Sequence, residues 1–291
     1  MKKVSILNIQ QFHLDDATEE FHTNTLKDHL VTRHKDIHLP HKHDFYVTVL
    51  FTKGTGIHEV DFMSYEVKPG ALFFLNPGQT HHWELSDDTD GYIFLHTQSF
   101  YDLHYTNNSL SSFPFYYSIY SNPCIYLNNV KLKTLLPFFE MLLKEYLANA
   151  FLAKEMLISY IDIIYSLSTR TYILSNPGVI NNKDKYYSKF RAFEELVEKE
   201  FRNIKLPSAY ADILSITSKH LNRISQEVVG KTASDVIMER VILEAKKEII
   251  LQKQGFSDIA YSLGYDDYAY FSRIFTKKTG TTPSAFLKRY R

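Results

Sequence analysis

GFSDIAYSLGYDDYAYFSRIFTKKTGTTP, residues 255–283, decides how the rest of the chain is read. Ile259, Ala260 and Leu263 recur at helical spacing, and Gly264 then ends the helix. Asp266 and Asp267 are N-cap candidates for the next helix, because a carboxylate accepts the orphan N–H groups of a first helical turn. Phe271, Ile274 and Phe275 form an i, i+3, i+4 apolar stripe, which leaves Tyr268, Ala269, Ser272 and Arg273 on the outer face. Two short helices at a sharp angle, the second polar and partly basic outside, describe a helix-turn-helix. Its second helix has the form that enters a DNA major groove.

The same arrangement recurs upstream. Ala211 stands to Leu214 as Ala260 stands to Leu263, and Thr217, Leu221, Arg223 and Gly230 repeat the spacing of Asp267, Phe271, Arg273 and Gly280. A matching phrase follows each glycine, Gly230-Lys-Thr232-Ala-Ser234 and Gly280-Thr-Thr282-Pro-Ser284. The C-terminal third is therefore a duplicated helix-turn-helix. Between the copies, residues 232–252 carry Ile237, Val241, Ala245 and Ile249 on one face. At about 1.5 Å per residue such a helix spans roughly 30 Å, close to the roughly 34 Å between successive major-groove entries on one side of a duplex. In the first recognition helix Thr217 is the N-cap candidate. Ser218, Lys219, Asn222 and Arg223 face outward, and Leu221 and Ile224 face in. Arginine bonds guanine bidentately and asparagine bonds adenine, while lysine more often finds phosphate. The DNA-binding candidates are thus Ser218, Lys219, Asn222, Arg223, Tyr268, Ala269, Ser272, Arg273 and Lys277. Lys278, Lys288 and Arg289 read as phosphate contacts or as plain solvated charge.

These residues also carry a family resemblance. HLNR (220–223), ERVILEAKKEI (239–249), GYDDYAYFSRIF (264–275) and GTTPSAF (280–286) closely resemble the DNA-binding domain of AraC/XylS-type transcriptional regulators, over about residues 186–291. The sequence departs from that family where Ser225 and Gln226 replace the usual Phe-Lys, and where Thr276 replaces a usual lysine. These departures bear on individual phosphate contacts and leave the fold untouched.

The chain has 291 residues, enough for two domains with separate cores, and 44% of them are hydrophobic, which fits a folded protein. A lone cysteine, Cys124, rules out an intrachain disulfide framework and fits a reducing cytoplasm; it reads as a small packed side chain. The opening MKKVSILNIQQFHLDD has no apolar run long enough for a signal peptide, and no stretch of about 18 apolar residues exists to span a membrane. The formal net charge of zero hides an asymmetry: residues 186–291 hold 18 basic and 13 acidic groups, the remainder 15 and 20. DNA binding confined to one end suits that distribution, although so modest a surplus alone describes an ordinary solvated surface.

Residues 1–36 show no firm period and read as an entry arm or first strands. Then strands begin: Phe45 to Thr52, turned by Lys53-Gly54-Thr55-Gly56; His58 to Met63 and Tyr65 to Val67, turned by Lys68-Pro69-Gly70; Ala71 to Leu75, stopped by Asn76-Pro77-Gly78. His81 to Leu85 and Gly91 to Gln98 come next. Many short strands with Gly/Pro turns predict a sandwich or barrel. The order of His41-Lys42-His43, the turn at 54–56, Val67-Lys-Pro-Gly70 and Asn76-Pro-Gly78-Gln-Thr-His81 resembles a cupin barrel, over about residues 20–100, as in the sensor domain of AraC-type regulators. Leu132, Leu135, Leu136, Phe139, Leu142, Leu143 and Tyr146 predict an amphipathic helix with Pro137 near its first turn, and a second helix runs from about Ala150 to Tyr172. These helices pack on their own domain, pair two subunits as the resemblance implies, or do both. Ser175 to Lys185 (SNPGVINNKDK) reads as a linker, and Phe190 to Phe201 opens the last domain.

The expected class is α+β multidomain: residues 1–120 a cupin-like β-barrel sensor domain, 121–174 a helical dimerisation segment, 175–185 a linker, 186–291 an all-α domain with two helix-turn-helix motifs. His41, His43 and His81 stand where the resemblance puts cupin metal ligands. The glutamate that usually completes such a site is absent, its places being held by Tyr46, Val47, Thr48 and Val49, so no metal and no cofactor is expected. His41, His43, His81, Trp83, Phe94 and His96 are instead the candidate effector-binding residues, with His82 as a neighbour; the period-2 rule admits only one of each adjacent pair to an interior. The resemblance implies a cytoplasmic, non-enzymatic, sequence-specific regulator, commonly an activator, with promoter DNA, a small-molecule effector, a second subunit and RNA polymerase as partners and no membrane. Two other readings stay open: a metal-dependent cupin enzyme fused to a DNA-binding tail, and a constitutive regulator without ligand.

Overall fold

The computed structural model describes residues 6–12, 20–32, 39–102, 110, 113–116, 121–175, 186–251 and 254–290. Described residues up to Ser175 form one compact unit and those from Tyr186 onward another. Residues 176–185, nearly all of the expected linker, lie outside the described residues.

The first unit runs β1 (Ile6–Leu7), β2 (Phe21–Thr25), α1 (Leu26–Thr32), β3 (His41–His43), β4 (Tyr46–Lys53), β5 (Gly56–Val60), β6 (Met63–Val67), β7 (Ala71–Leu75), β8 (Thr80–Leu85), β9 (Asp90–His96), α2 (Gln98–Asp102), β10 (Cys124–Tyr126), α3 (Asn129–Ala148) and α4 (Ala153–Ser175). The strands make two five-stranded sheets, ordered β1-β3-β8-β5-β6 and β10-β7-β4-β9-β2. Among the described residues no strand joins the two sheets into a closed cylinder. Their facing side chains form one core. Val47, Val49, Phe51, Phe73, Ile93 and Leu95 from the second sheet pack with Val60, Val67 and Trp83 from the first. Fully burying such a side chain stabilises the unit by roughly 1.5–3 kcal/mol. The other face of the second sheet is covered too: Phe94 meets Phe139 of α3, and Thr48 and Phe74 meet Tyr165 of α4. That two-sided burial explains why Ala71–Leu75 is apolar at every position.

Three boundaries differ from the sequence reading. The β5–β6 hairpin turns at Asp61 and Phe62, both at positive φ (46° and 70°), and not at Ser64. Backbone twist selects such a two-residue turn even without glycine. Here Asp61 is also held by its carboxylate, which accepts from the Thr80 backbone N–H (3.0 Å) and Gln79 Nε2 (3.2 Å). The first long helix begins at Asn129, because Asn128 Oδ1 accepts from Lys131 N (2.9 Å) and caps it. Pro137 therefore sits about two turns inside the helix and not in its first turn. The second long helix is shifted to Ala153–Ser175. Cys124 is buried, as expected. No helix among the described residues is long and apolar enough to cross a membrane.

The second unit holds α5 (Tyr187–Glu200), α6 (Pro207–Ile213), α7 (Ser218–Val229), α8 (Ala233–Leu251), α9 (Phe256–Ser262), α10 (Tyr268–Thr279) and α11 (Pro283–Arg289). The duplication is visible bond by bond. Ile216 N donates to Ala211 O (2.9 Å) as Tyr265 N donates to Ala260 O (3.0 Å). Thr217 caps α7 by accepting from His220 N, and Asp267 caps α10 by accepting from Ala269 N and Tyr270 N. Gly230 and Gly280 close the two helices in the left-handed region. Leu221 and Ile224, and likewise Phe271 and Phe275, point into the core against α8 and its neighbours.

Buried charge ties the copies together. Arg240 on α8 is 8% exposed and bonds Glu198 of α5 through Nε and Nη2 (2.8 Å for the latter), and Glu244 through Nη1 (3.0 Å). Its guanidinium lies 4.0 Å over the Phe201 ring. The bonds from Arg240 hold the Glu198 carboxyl below the usual carboxylate range. Arg202 bonds Glu244 (3.0 Å), Glu248 (2.7 Å) and the carbonyl of Ser262 at the end of α9 (3.0 Å).

Candidate nucleic-acid interface and buried histidine cluster

On α7, Ser218, Lys219, Asn222 and Arg223 are exposed, and on α10 so are Ala269, Arg273 and Lys277. Tyr268 and Ser272 are half-buried, with the Tyr268 ring stacked on Phe256. Two of these groups are pre-positioned by contacts that sequence reasoning did not supply. Arg223 Nη2 donates to His220 Nδ1 (3.0 Å), and its guanidinium lies 5.4 Å over Tyr186. Asn222 Oδ1 accepts from the N–H of Ala233, the first residue of α8 (3.1 Å), which leaves the amide nitrogen as the donor it offers outward. Lys278 is paired with Asp235 of α8 (2.7 Å), a use nearer to solvated charge than to a phosphate contact.

The six effector candidates fall into two groups. His41, His43, His81 and Trp83 face the space between the sheets. Phe94 and His96 face the opposite side of the second sheet, because Ile93 and Leu95 take the inner positions of β9. His96 is fully buried there. Its Nδ1–H donates to Thr97 O (2.9 Å), so its Nε2 accepts from the Tyr165 hydroxyl (2.7 Å). Burial pushes its pKa down to about 4. The alternation on β8 puts His81 and Trp83 inside and His82 out, beside Glu59 (3.7 Å).

The inner histidines meet because of strand register. His41 on β3 lies directly opposite His81 on β8, and β8 pairs next with β5, placing Trp83 opposite His58. One ring nitrogen from each of His41, His43 and His81 lies within 4.8 Å of the others, and all three rings are buried. His43 Nε2 and His81 Nε2 are 2.6 Å apart, and His81 Nδ1 is 3.0 Å from His58 Nε2. Desolvation holds His41 and His58 below the ordinary imidazole pKa, so both rings are neutral at pH 7. Imidazole donors suit zinc, copper, nickel, cobalt or iron. Sequence reasoning missed His58. The signal was present in Gly56–Val60, where alternation sets His58 and Val60 on the same inward face.

Comparison with known proteins agrees with both halves. The family described as an AraC-like ligand binding domain matches residues 31–110, and a helix-turn-helix domain family matches residues 210–289. The transcriptional activator RhaR of Escherichia coli is 21% identical over 256 residues, covering 86% of this chain and 87% of RhaR. The bifunctional transcriptional activator/DNA repair enzyme AdaA of Bacillus subtilis is 32% identical over 92 residues, and the match spans 44% of AdaA's length. The crystal structure of ToxT from Vibrio cholerae aligns over 94% of this chain and 97% of its own, at 14% identity and a TM-score of 0.45. With a ligand-binding domain ahead of a duplicated, capped helix-turn-helix, the chain belongs to the AraC/XylS-type transcriptional regulators.

Proposed function

We propose that this regulator is a cytoplasmic, non-enzymatic activator that reads an asymmetric DNA site in two blocks about one helical turn apart. The observation that carries this is the pair of matched recognition helices at the two ends of the 19-residue α8. Arg223 and Arg273 supply base-edge contacts, Asn222 a donor, and Lys219 and Lys277 phosphate contacts. The relatives RhaR and AdaA are both named as transcriptional activators, which supports activation here. The effector binds the first unit at His41, His43, His81 and Trp83, and shifts the chain toward the arrangement in which DNA is bound. Exposed apolar side chains on α3, α4 and the turn between them, Met141, Leu147, Phe151 and Met156, support pairing of two copies through this segment.

Selection of bound duplexes from a random library tests the reading. The wild-type chain is expected to enrich a two-block site, and Arg223→Ala/Arg273→Ala to lose it. Enrichment that survives the double substitution would refute the assignment.

A further inference from the structure

We infer that the first unit carries a separate ligand site between the start of α3 and the end of α4, and that it takes a small apolar monocarboxylate. None of the inner histidines lines this site, which stands whether or not an effector binds at them. The turn between α3 and α4 is short, residues 149–152, so the helices form a hairpin whose open end brings the start of α3 beside the end of α4. A cavity of about 170 Å³ opens there. Lys131 and Leu135 line it from α3, Leu167, Arg170 and Thr171 from α4, and Leu127 from the segment before α3.

The walls are apolar and the polar groups are unmatched. Leu127 and Leu135 are buried and Leu167 is half-buried. Lys131 is half-buried and Arg170 exposed, and among the described residues neither has an ion-pair partner. Thr171 is 5% exposed. Its carbonyl accepts from Ser175 Oγ (3.1 Å), but its hydroxyl has no hydrogen-bond partner among the described residues, a destabilising arrangement that a ligand acceptor relieves. Lys131 also stands in the first turn of α3, which has no acidic residue. That is the positive end of the helix dipole, where a cation is disfavoured and an anion favoured. Across 129–139 and 163–175 the two helices hold Lys131, Lys133 and Arg170 and no carboxylate, in a half of the chain where acidic groups otherwise exceed basic ones. The ligand's carboxylate bonds the planar Arg170 guanidinium, with Lys131 as the second cation and the Thr171 hydroxyl as a neutral donor. Its apolar body lies against Leu127, Leu135 and Leu167. An apolar cavity of about 150 Å³ holds a benzene-sized body, so about 170 Å³ takes about five to seven carbon atoms. A second charge would lie against the leucines unpaired, which excludes dicarboxylates.

Titration calorimetry of the full chain with hexanoate tests the site. One ligand per chain is expected, with a Kd on the order of 100 μM. Acetate, which has the charge without the body, and hexanol, which has the body without the charge, are each expected to bind at least about 10-fold more weakly. Lys131→Gln/Arg170→Gln is expected to weaken hexanoate by about 10-fold or more, and Lys131→Glu/Arg170→Glu to prefer hexylamine to hexanoate. Leu167→Trp, which fills the cavity, is expected to abolish binding. Lys144→Gln removes an exposed cation farther along α3 and keeps the wild-type affinity. Circular dichroism confirms that each variant is folded, and the charge variants carry the test should Leu167→Trp fail to fold. Absence of saturable hexanoate binding up to about 10 mM in folded wild-type protein overturns the proposal. So does binding that survives both charge variants, binding that falls equally in Lys144→Gln, or hexanol binding as tightly as hexanoate.

Discussion

Two glycines of the second unit share a backbone conformation and differ in what surrounds them, and the difference is measurable. Gly264, in the turn of the second helix-turn-helix, has φ 80°, and Gly230, at the end of α7, has φ 68°. An L side chain in this region costs about 1–2 kcal/mol at either place. At Gly230 an added Cβ meets nothing within 4 Å, so Gly230→Ala costs about 1 kcal/mol. At Gly264 the Cβ arrives 2.2 Å from the carbonyl oxygen of Arg202, a backbone atom. That carbonyl cannot simply step aside, since Lys205 Nζ donates to it (2.7 Å) while Arg202's own guanidinium is anchored to Glu244, Glu248 and Ser262. Overpacking of this kind adds about 1–3 kcal/mol, which brings Gly264→Ala to about 3 kcal/mol. For a unit of this size each kcal/mol moves Tm by about 4–8 °C. Calorimetry of the full chain should show the C-terminal transition falling by about 5 °C for Gly230→Ala and by about 15 °C for Gly264→Ala. Equal losses would refute the close-approach argument and reduce both sites to conformational strain. Ser215 gives an internal check. It occupies the place of Gly264 in the first copy at φ 54°, so Ser215→Gly should raise the same transition slightly.

Three further outcomes are expected. Asn222→Ala should lower the C-terminal transition by about 1 kcal/mol through loss of the Ala233 cap, whereas Asn222→Asp keeps the cap and loses only DNA affinity; calorimetry beside anisotropy on the selected duplex separates the two, and equal stability of the variants would sink the dual role. His96 has a folded pKa of about 4 against about 6.5 unfolded, so the unfolded chain binds more protons between those values. Its contribution is whole above about pH 6.5 and is lost as pH falls toward 4, amounting to about 3 kcal/mol, and His96→Gln should flatten that part of the pH dependence of the N-terminal transition. Arg240→Met should cost about 3 kcal/mol, at the low end for a broken buried pair because the Glu198 side chain is 59% exposed, with part recovered in Arg240→Met/Glu198→Leu; a loss under about 1 kcal/mol by urea titration would show the pair to be incidental.

How much was legible followed the range of the interactions. Thr217 and Asp267 act on backbone groups a few residues away, so their types alone announced the helix starts, and the repeat that matched Gly230 with Gly280 marks where the same two helices close. An unbroken apolar run stopped by Asn76-Pro77-Gly78 likewise announced Ala71–Leu75, and the strand read as His81 to Leu85 runs from Thr80. Sheet partnering was not legible, because His41 reaches His81 across about forty residues of intervening chain through a register that no local signal encodes. The same holds for Arg240 with Glu198 and for the split of Phe94 and His96 away from Trp83. Periodicity says that two neighbours face opposite ways, and only the second sheet's covering helices decide which way is inside. Pro137 was misplaced for a related reason: the Asn128 cap sets the helix start about two turns ahead of it, and burial of Leu135, Phe139 and Leu142 keeps the helix running past the proline.

The ion network bears on how DNA is read. Arg240 joins α5 to α8, and Arg202 joins the end of α5 to α8 and to the last carbonyl of α9. The Arg240 guanidinium, on the connector, therefore bonds the supporting helix α5, and the Arg202 guanidinium, just past the end of α5, bonds the connector and the second copy. Both copies are seated on one continuous helix of 19 residues, and the charged bonds hold α5 and α9, against which the two recognition helices are placed, to that helix. The separation of the two readers is thus a property of α8, at about 28 Å of rise, and not of a flexible tether. A rigid pair of readers recognises two blocks only when both face the same side of the duplex. Since a turn of DNA is about 10–10.5 base pairs, half a turn of extra spacing carries the second block to the far side, where a hinged pair could reach it and this one cannot.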